Sequence, residues 1–190
     1  PGPLCPHFHI PLQSGDDAVL ARMHRPYKRD DFRQLVLRIV DRLPNAAIGV
    51  DTLIGFPGET DAAFERTVDL IDSLPVAYLH VFPFSARKGT PAFSYSDPVP
   101  FAVIKKRCQR MRRLGSQKRR AFYAKSLGRQ ATVLVEAHRD GQLQGLTDNY
   151  VPVRFDGPDA WRNTLRQVHV QRLAHDGLPE GRVTFQAERS

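Results

Sequence analysis

Residues 49–60, GVDTLIGFPGET, constrain the fold more than any other stretch of this chain. The residues leading in, Ala46, Ala47, Ile48, Gly49 and Val50, form a continuous apolar run, the mark of a strand buried on both faces of a parallel sheet. The run meets one carboxylate, Asp51, then a turn carrying Gly55, Pro57 and Gly58, then the acidic helix start Glu59, Thr60 and Asp61. In parallel α/β folds ligands bind at that carboxyl end of the sheet. Glycines there let a ligand or a backbone approach closely; the plainer alternative is an ordinary tight βα loop.

The flanking segments repeat the same grammar. Residues 7–12 read as a strand closed by a Gln13-Ser14-Gly15 turn, and Asp16-Asp17 cap a helix carrying Val19, Leu20 and Met23. A second helix over about 30–43 carries Phe32, Leu35, Val36, Ile39 and Val40 and stops at Pro44. The strand 46–53 follows, then a helix over about 60–73, a strand at 76–84 and a loop at 85–96. This order predicts right-handed βαβ units and a parallel sheet.

A basic helix is expected from about 98 to 126, with Ile104, Cys108, Met111 and Leu114 on its buried side. After Gly128 come short β-like runs at 131–137, 145–148, 150–154, 167–173 and 182–186, separated by Asp-Gly, Asp-Asn and Gly-Pro turns. Such spacing suggests a small barrel of the kind that often binds oligonucleotides. The chain therefore divides into an α/β part with its basic helix, 1–126, and an all-β part, 127–190.

Charge follows the same division. Residues 1–97 hold 10 Lys and Arg against 12 Asp and Glu, whereas residues 98–190 hold 18 against 8. Eleven basic residues and no acidic one lie between 98 and 135. That surplus is the footprint of a polyanion partner, since a merely solvated helix face normally mixes both signs. Lys105, Lys106, Arg107, Arg110, Arg112, Arg113, Lys118, Arg119 and Arg120 on the helix are candidates for phosphates, as are Arg129, Arg139 and Arg154 beyond it. Tyr150 could stack on a base.

Three polar residues stand out in the first half: Gln13 at the end of the first strand, Asp51 near that of the second, and Arg25 after the first short helix. A parallel sheet puts the two strand ends on one rim, where an amide can bind hydroxyls and a guanidinium a carboxylate. The alternative for Arg25 is a surface pair with Asp16, Asp17 or Asp30. Cys5, His7 and His9 alternate along one strand, too far apart for one tetrahedral ion unaided, and no metal site is expected. Two cysteines, Cys5 and Cys108, form no disulfide framework and suit a reducing cytoplasm; no run is apolar enough for a membrane span.

Taken together, HFHIPLQSGDDAVLARMHRPY, GVDTLIGFPGET and LHVFPFSARKGTPAF resemble the second half of the radical S-adenosylmethionine (SAM) domain of tRNA methylthiotransferases. GLTDNYVPV resembles the TRAM domain that ends those enzymes. Within the family, LHVFPFSARKGTPA is most similar to the branch that methylthiolates threonylcarbamoyladenosine at position 37, beside the tRNA anticodon. The isopentenyladenosine branch is a near neighbour, and a non-catalytic RNA-binding module is the remaining alternative. Arg87 and Lys88 depart from the acidic pair of the ribosomal-protein branch.

The resemblance implies half of a partial (β/α) barrel followed by an OB-like TRAM barrel. It implies that Gln13 and Ser14 lie near the SAM ribose and that Arg25 holds the methionine moiety. Asp51, Leu53 and Gly55 would support the adenosine, and main-chain groups around Phe84 and Ser85 would meet the adenine. Glu59 would cap the following helix. The partners implied are tRNA and an electron donor, in the cytoplasm, without a membrane.

One departure outweighs these matches. The family needs a Cys-x-x-x-Cys-x-x-Cys loop for the four-iron cluster that reductively cleaves SAM, and three more cysteines for a second cluster, the sulfur source. Two lone cysteines supply neither set, so the chain reads as a fragment, inactive by itself, of an enzyme with two 4Fe–4S clusters.

Overall fold

The computed structural model describes residues 4–184. The chain forms two compact units: residues 8–119, and residues 120 onward together with the segment ending at His7.

The first unit is α/β. Strands β1 (His7–Gln13), β2 (Ala47–Ile54) and β3 (Tyr78–Pro83) lie side by side in sequence order, with β2 and β3 parallel. Helices α1 (Asp17–Arg22), α2 (Arg29–Arg42) and α3 (Asp61–Ser73) fill the connections. The caps follow from local chemistry: Asp16 accepts from the Val19 N–H at 2.9 Å and Thr60 from the Ala63 N–H at 3.1 Å. The 24-residue α4 (Phe101–Ala124) begins in this unit and continues into the second.

One core holds the unit together. Leu12 of β1 and Ile48, Val50 and Ile54 of β2 meet Phe32 and Val36 of α2, Phe64, Leu70 and Ile71 of α3, and Ile104, Cys108, Met111 and Leu114 of α4. All the helical contributors press on one face of the sheet. Strand alternation therefore turns His9, Pro11 and Gln13, Asp51 and Leu53, and Tyr78, His80 and Phe82 toward the other face. Cys108 is 2% exposed, a core residue as its helical phase implies.

In the second unit, β4 (Gln130–Arg139), β5 (Gln142–Thr147), β6 (Pro152–Phe155), β7 (Leu165–Leu173) and β8 (Pro179–Val183) close into a barrel in the order β4-β5-β6-β8-β7. Only the β6–β8 pairing is parallel. Val133, Val135, Leu143, Val151, Val153, Phe155, Val168 and Val170 fill its interior, and Phe122, Tyr123 and Trp161 pack against them. The last expected strand reaches 186 in the sequence reading; 185 and 186 lie outside the described residues.

Candidate functional site

The helix-free face of the sheet carries the polar constellation. His9, Asp51 and His80 come from three neighbouring strands, with Asp51 and His80 directly paired in register. His9 Nε2 lies 2.8 Å from Asp51 Oδ1, and His80 Nδ1 lies 3.3 Å from the same oxygen. The Tyr78 hydroxyl lies 3.5 Å from His9 Nδ1. Burial, then the Asp51 charge, raises the Tyr78 pKa, so its hydroxyl stays protonated.

This corrects the placement of Asp51 at the carboxyl rim. It is the fifth of eight residues in β2 and sits mid-sheet between two imidazoles. His80 was missed altogether, because the register between distant parallel strands is not encoded in either segment. The available signal was phase alone: three polar residues at alternating positions in otherwise apolar strands.

At the rim itself, Gln13 has φ 67, inside a three-residue turn closed by the Ser14 N–H to the Leu12 carbonyl at 2.9 Å. A left-handed glutamine in such a turn is strained, and strain of this kind concentrates at functional sites. The Tyr27 hydroxyl braces the turn at 3.1 Å from the carbonyls of both Pro11 and Leu12. Ser14 does not face the rim. It is buried, accepts from the Asp16 N–H and lies 3.4 Å from Thr67 Oγ1.

Arg25 is exposed. The carboxylates offered as its surface partners are engaged elsewhere: Asp16 by Arg66, Asp17 by the Arg29 N–H, and Asp30 by Gln34. Leu53 and Phe84 pack onto the apolar cluster of Val19, Phe56 and Ala63, with the Phe84 and Phe56 rings 5.1 Å apart. The Phe84 N–H is spent on the Ile54 carbonyl, while Ser85 is exposed.

The glycine turn owes its shape to packing. Gly55 has φ 85, and a Cβ there would meet Ile104 of α4 at 2.4 Å, so its missing side chain makes room for a helix. Glu59 does not cap α3; Thr60 does. Glu59 instead accepts from the Gly55 N–H at 2.8 Å and from Arg107 Nη1 at 2.8 Å, tying the turn to α4.

The same contact corrects the phosphate-binding set. Arg107 is 7% exposed, donates to Glu59 and Asp61, and is a packing residue of α4. Its phase, three residues after Ile104 and four before Met111, was the signal. Arg110 pairs with Glu65 through both guanidinium nitrogens, and Arg154 pairs with Asp176 at 2.6 Å. Lys105, Arg113, Arg119, Arg120 and Arg129 are exposed, as is Arg112, whose Nη2 lies 3.5 Å from the Val81 carbonyl. Gln109, Arg112, Arg113, Ser116 and Gln117 line one open groove, on the side of α4 opposite its buried stripe. Tyr150, at φ 62, projects from the β5–β6 turn and stacks on His7 with ring centroids 4.3 Å apart.

Cys5 is exposed and Cys108 is sealed in the helical core. Two thiols so placed do not fit a cluster that needs three in one loop. Among the described residues, no helix is long and apolar enough to cross a membrane.

Comparison with known proteins gives these positions a context. Residues 2–71 match the model of the radical SAM superfamily. The chain is 34% identical over 154 residues to the threonylcarbamoyladenosine tRNA methylthiotransferase MtaB of Aquifex aeolicus, covering 81% of this chain and 37% of that protein. It is 37% identical over 180 residues to the tRNA-2-methylthio-N(6)-dimethylallyladenosine synthase of Staphylococcus aureus, covering 93% of this chain and 35% of that protein. The chain thus spans about a third of the length of the curated relatives it matches. On these matches it belongs to the radical SAM tRNA methylthiotransferase family.

Proposed function

We propose that this chain is the carboxyl-terminal part of an enzyme that methylthiolates threonylcarbamoyladenosine at tRNA position 37, using SAM and two 4Fe–4S clusters. The observation that carries the reading is the match to tRNA methylthiotransferases over most of the chain, joined to the resemblance of LHVFPFSARKGTPA to that branch. The clusters would be held by cysteines this chain does not contain, and residues 1–190 alone would be inactive.

Gln13 and Arg25 suit the SAM ribose and carboxylate, the first by its strained position at the strand end, the second by its exposed guanidinium. Asp51, Leu53, Gly55, Phe84 and Ser85 would contribute through the shape of the sheet end rather than through free polar groups. In this reading the five-stranded barrel is a TRAM domain, 127–190, after a radical SAM portion, 1–126. Its partners are tRNA and a cytoplasmic electron donor.

The Staphylococcus aureus relative, which matches 93% of the chain, favours isopentenyladenosine as the second reading. Mass spectrometry of tRNA nucleosides from a strain lacking the gene separates the two. Loss of methylthiolated threonylcarbamoyladenosine supports the first, and loss of the methylthiolated isopentenyl nucleoside moves the assignment to the second. An unchanged nucleoside profile leaves a non-catalytic RNA-binding module.

A further inference from the structure

We propose that His9, Asp51 and His80 form a binding site for one divalent transition-metal ion of the zinc or ferrous type, on the helix-free face of the sheet. The site is separate from any iron–sulfur cluster. It rests on the sheet geometry alone, whether or not the proposed function holds.

The three side chains supply one carboxylate and two imidazole nitrogens, and their candidate ligand atoms all lie within 4.8 Å of one another. Two imidazoles and one carboxylate on one side of an ion, with the remaining positions open, is a donor set that selects zinc, ferrous iron or cobalt over magnesium and calcium. Bonds of about 2.0–2.1 Å in tetrahedral geometry place ligand atoms about 3.3 Å apart. His80 Nδ1 and Asp51 Oδ1 are already 3.3 Å apart, and His9 Nε2 needs to withdraw from its 2.8 Å contact by about half an ångström. Rotation of one exposed imidazole suffices, with no change of backbone.

The surroundings are built to orient the donors. The three residues stand on adjacent strands of a hydrogen-bonded sheet, which fixes their Cα positions far better than a loop would. Tyr78 lies over Gly49, where a Cβ would meet its ring at 2.1 Å, and this brings its hydroxyl to His9 Nδ1. When that oxygen accepts from the Nδ1–H, the proton is fixed on Nδ1 and the Nε2 lone pair is left for an ion. Ligating histidines are oriented by such a partner on their other ring nitrogen. The competing arrangement is a plain hydrogen-bonded trio, in which each imidazole donates an N–H to Asp51 Oδ1 and no ion binds.

The test is a titration of the tag-free 190-residue chain with Co(II), read by its visible d–d absorbance, and with Zn(II), read by calorimetry. One equivalent of each metal should bind. His80→Gln and Asp51→Asn should each weaken binding by at least tenfold, Tyr78→Phe should weaken it less, and His169→Gln, on the barrel, should leave it unchanged. Should His80→Gln fail to fold by circular dichroism, Asp51→Asn carries the test, because it keeps the volume and an acceptor for both imidazoles. Absence of saturable binding, or binding insensitive to Asp51→Asn, would show a hydrogen-bonded trio only and overturn the assignment. The readout needs neither cluster nor tRNA, so it fails independently of the proposed enzymatic role.

Discussion

Arg107 of α4 donates to Glu59 across 2.8 Å with both side chains buried, 7% and 4% exposed. The other Glu59 oxygen holds the Gly55 N–H, so one ion pair fixes the glycine turn, the start of α3 and the middle of α4. Removing one member leaves a buried charge uncompensated. Arg107→Ala should lower unfolding free energy by about 3–5 kcal/mol, measured by urea denaturation. Glu59→Gln, which keeps an acceptor for Gly55, should cost clearly less. Equal losses would mean that packing of the arginine stem, not its charge, sets the effect.

The same carboxyl gives a pH signature. Burial pushes the Glu59 pKa above its ordinary 4.5, against the pull of the Gly55 N–H and Arg107. Between that value and the folded one, the native state retains a proton that the unfolded chain releases, so this group's contribution falls as pH rises. Asp61 runs the other way. Its hydrogen bond and charge contact with Arg107 lower its pKa from 3.8, so its contribution is present above that range and is lost as pH falls below it. Thermal unfolding followed with pH should therefore fall on both sides, and Glu59→Gln should flatten only the high-pH side.

Gly55→Ala tests why the turn is glycine-rich. The substitution forces a side chain into φ 85 and drives its Cβ to 2.4 Å from Ile104. Backbone strain of about 1–2 kcal/mol and overpacking of about 1–3 kcal/mol should add. Adding Ile104→Ala should recover part of the overpacking cost, so the double mutant should be less damaged than the two single losses together. Strict additivity would instead assign the whole cost to the backbone.

Most of the fold is legible in the sequence because it depends on local periodicity. The apolar phases of α2, α3 and α4, the Asp16 cap and the short β runs of the barrel each declare themselves within a dozen residues. The site is less legible because its contacts are long-range. Asp51 meets His9 from 42 residues away, and Arg107 meets Glu59 from 48. Composition marks Arg107 as one more cation in a basic helix. Only its helical phase, shared with Ile104 and Met111, sets it apart as buried.

Gln13 offers a stability–function contrast. Gln13→Gly should relieve the cost of φ 67 and raise stability by about 1 kcal/mol. In the intact enzyme the same change, like Arg25→Ala, should weaken SAM binding about ten- to a hundredfold, the worth of a charged or strained-site contact of about 1.5–3 kcal/mol. Equilibrium dialysis with SAM checks both. Unaltered affinity in Arg25→Ala would return that residue to the solvated surface.

Residues 98–190 should bind tRNA chiefly through phosphates, and the structure narrows which cations take part. Arg107, Arg110 and Arg154 are already held by Glu59, Glu65 and Asp176, whereas Lys105, Arg112, Arg113 and Arg120 share the outward side of α4. About four contacts on that face give a log–log salt slope of roughly −0.7 to −0.9 per contact. Reversing Arg112 and Arg113 to glutamate should flatten the slope by about two contacts' worth, while Arg110→Ala should barely change it. Tyr150→Ala should reduce affinity without altering the slope, since stacking on a base releases no counterion. Filter binding across a range of salt concentrations reads all three in the intact chain. A slope unmoved by the Arg112 and Arg113 reversal would place the RNA on another surface.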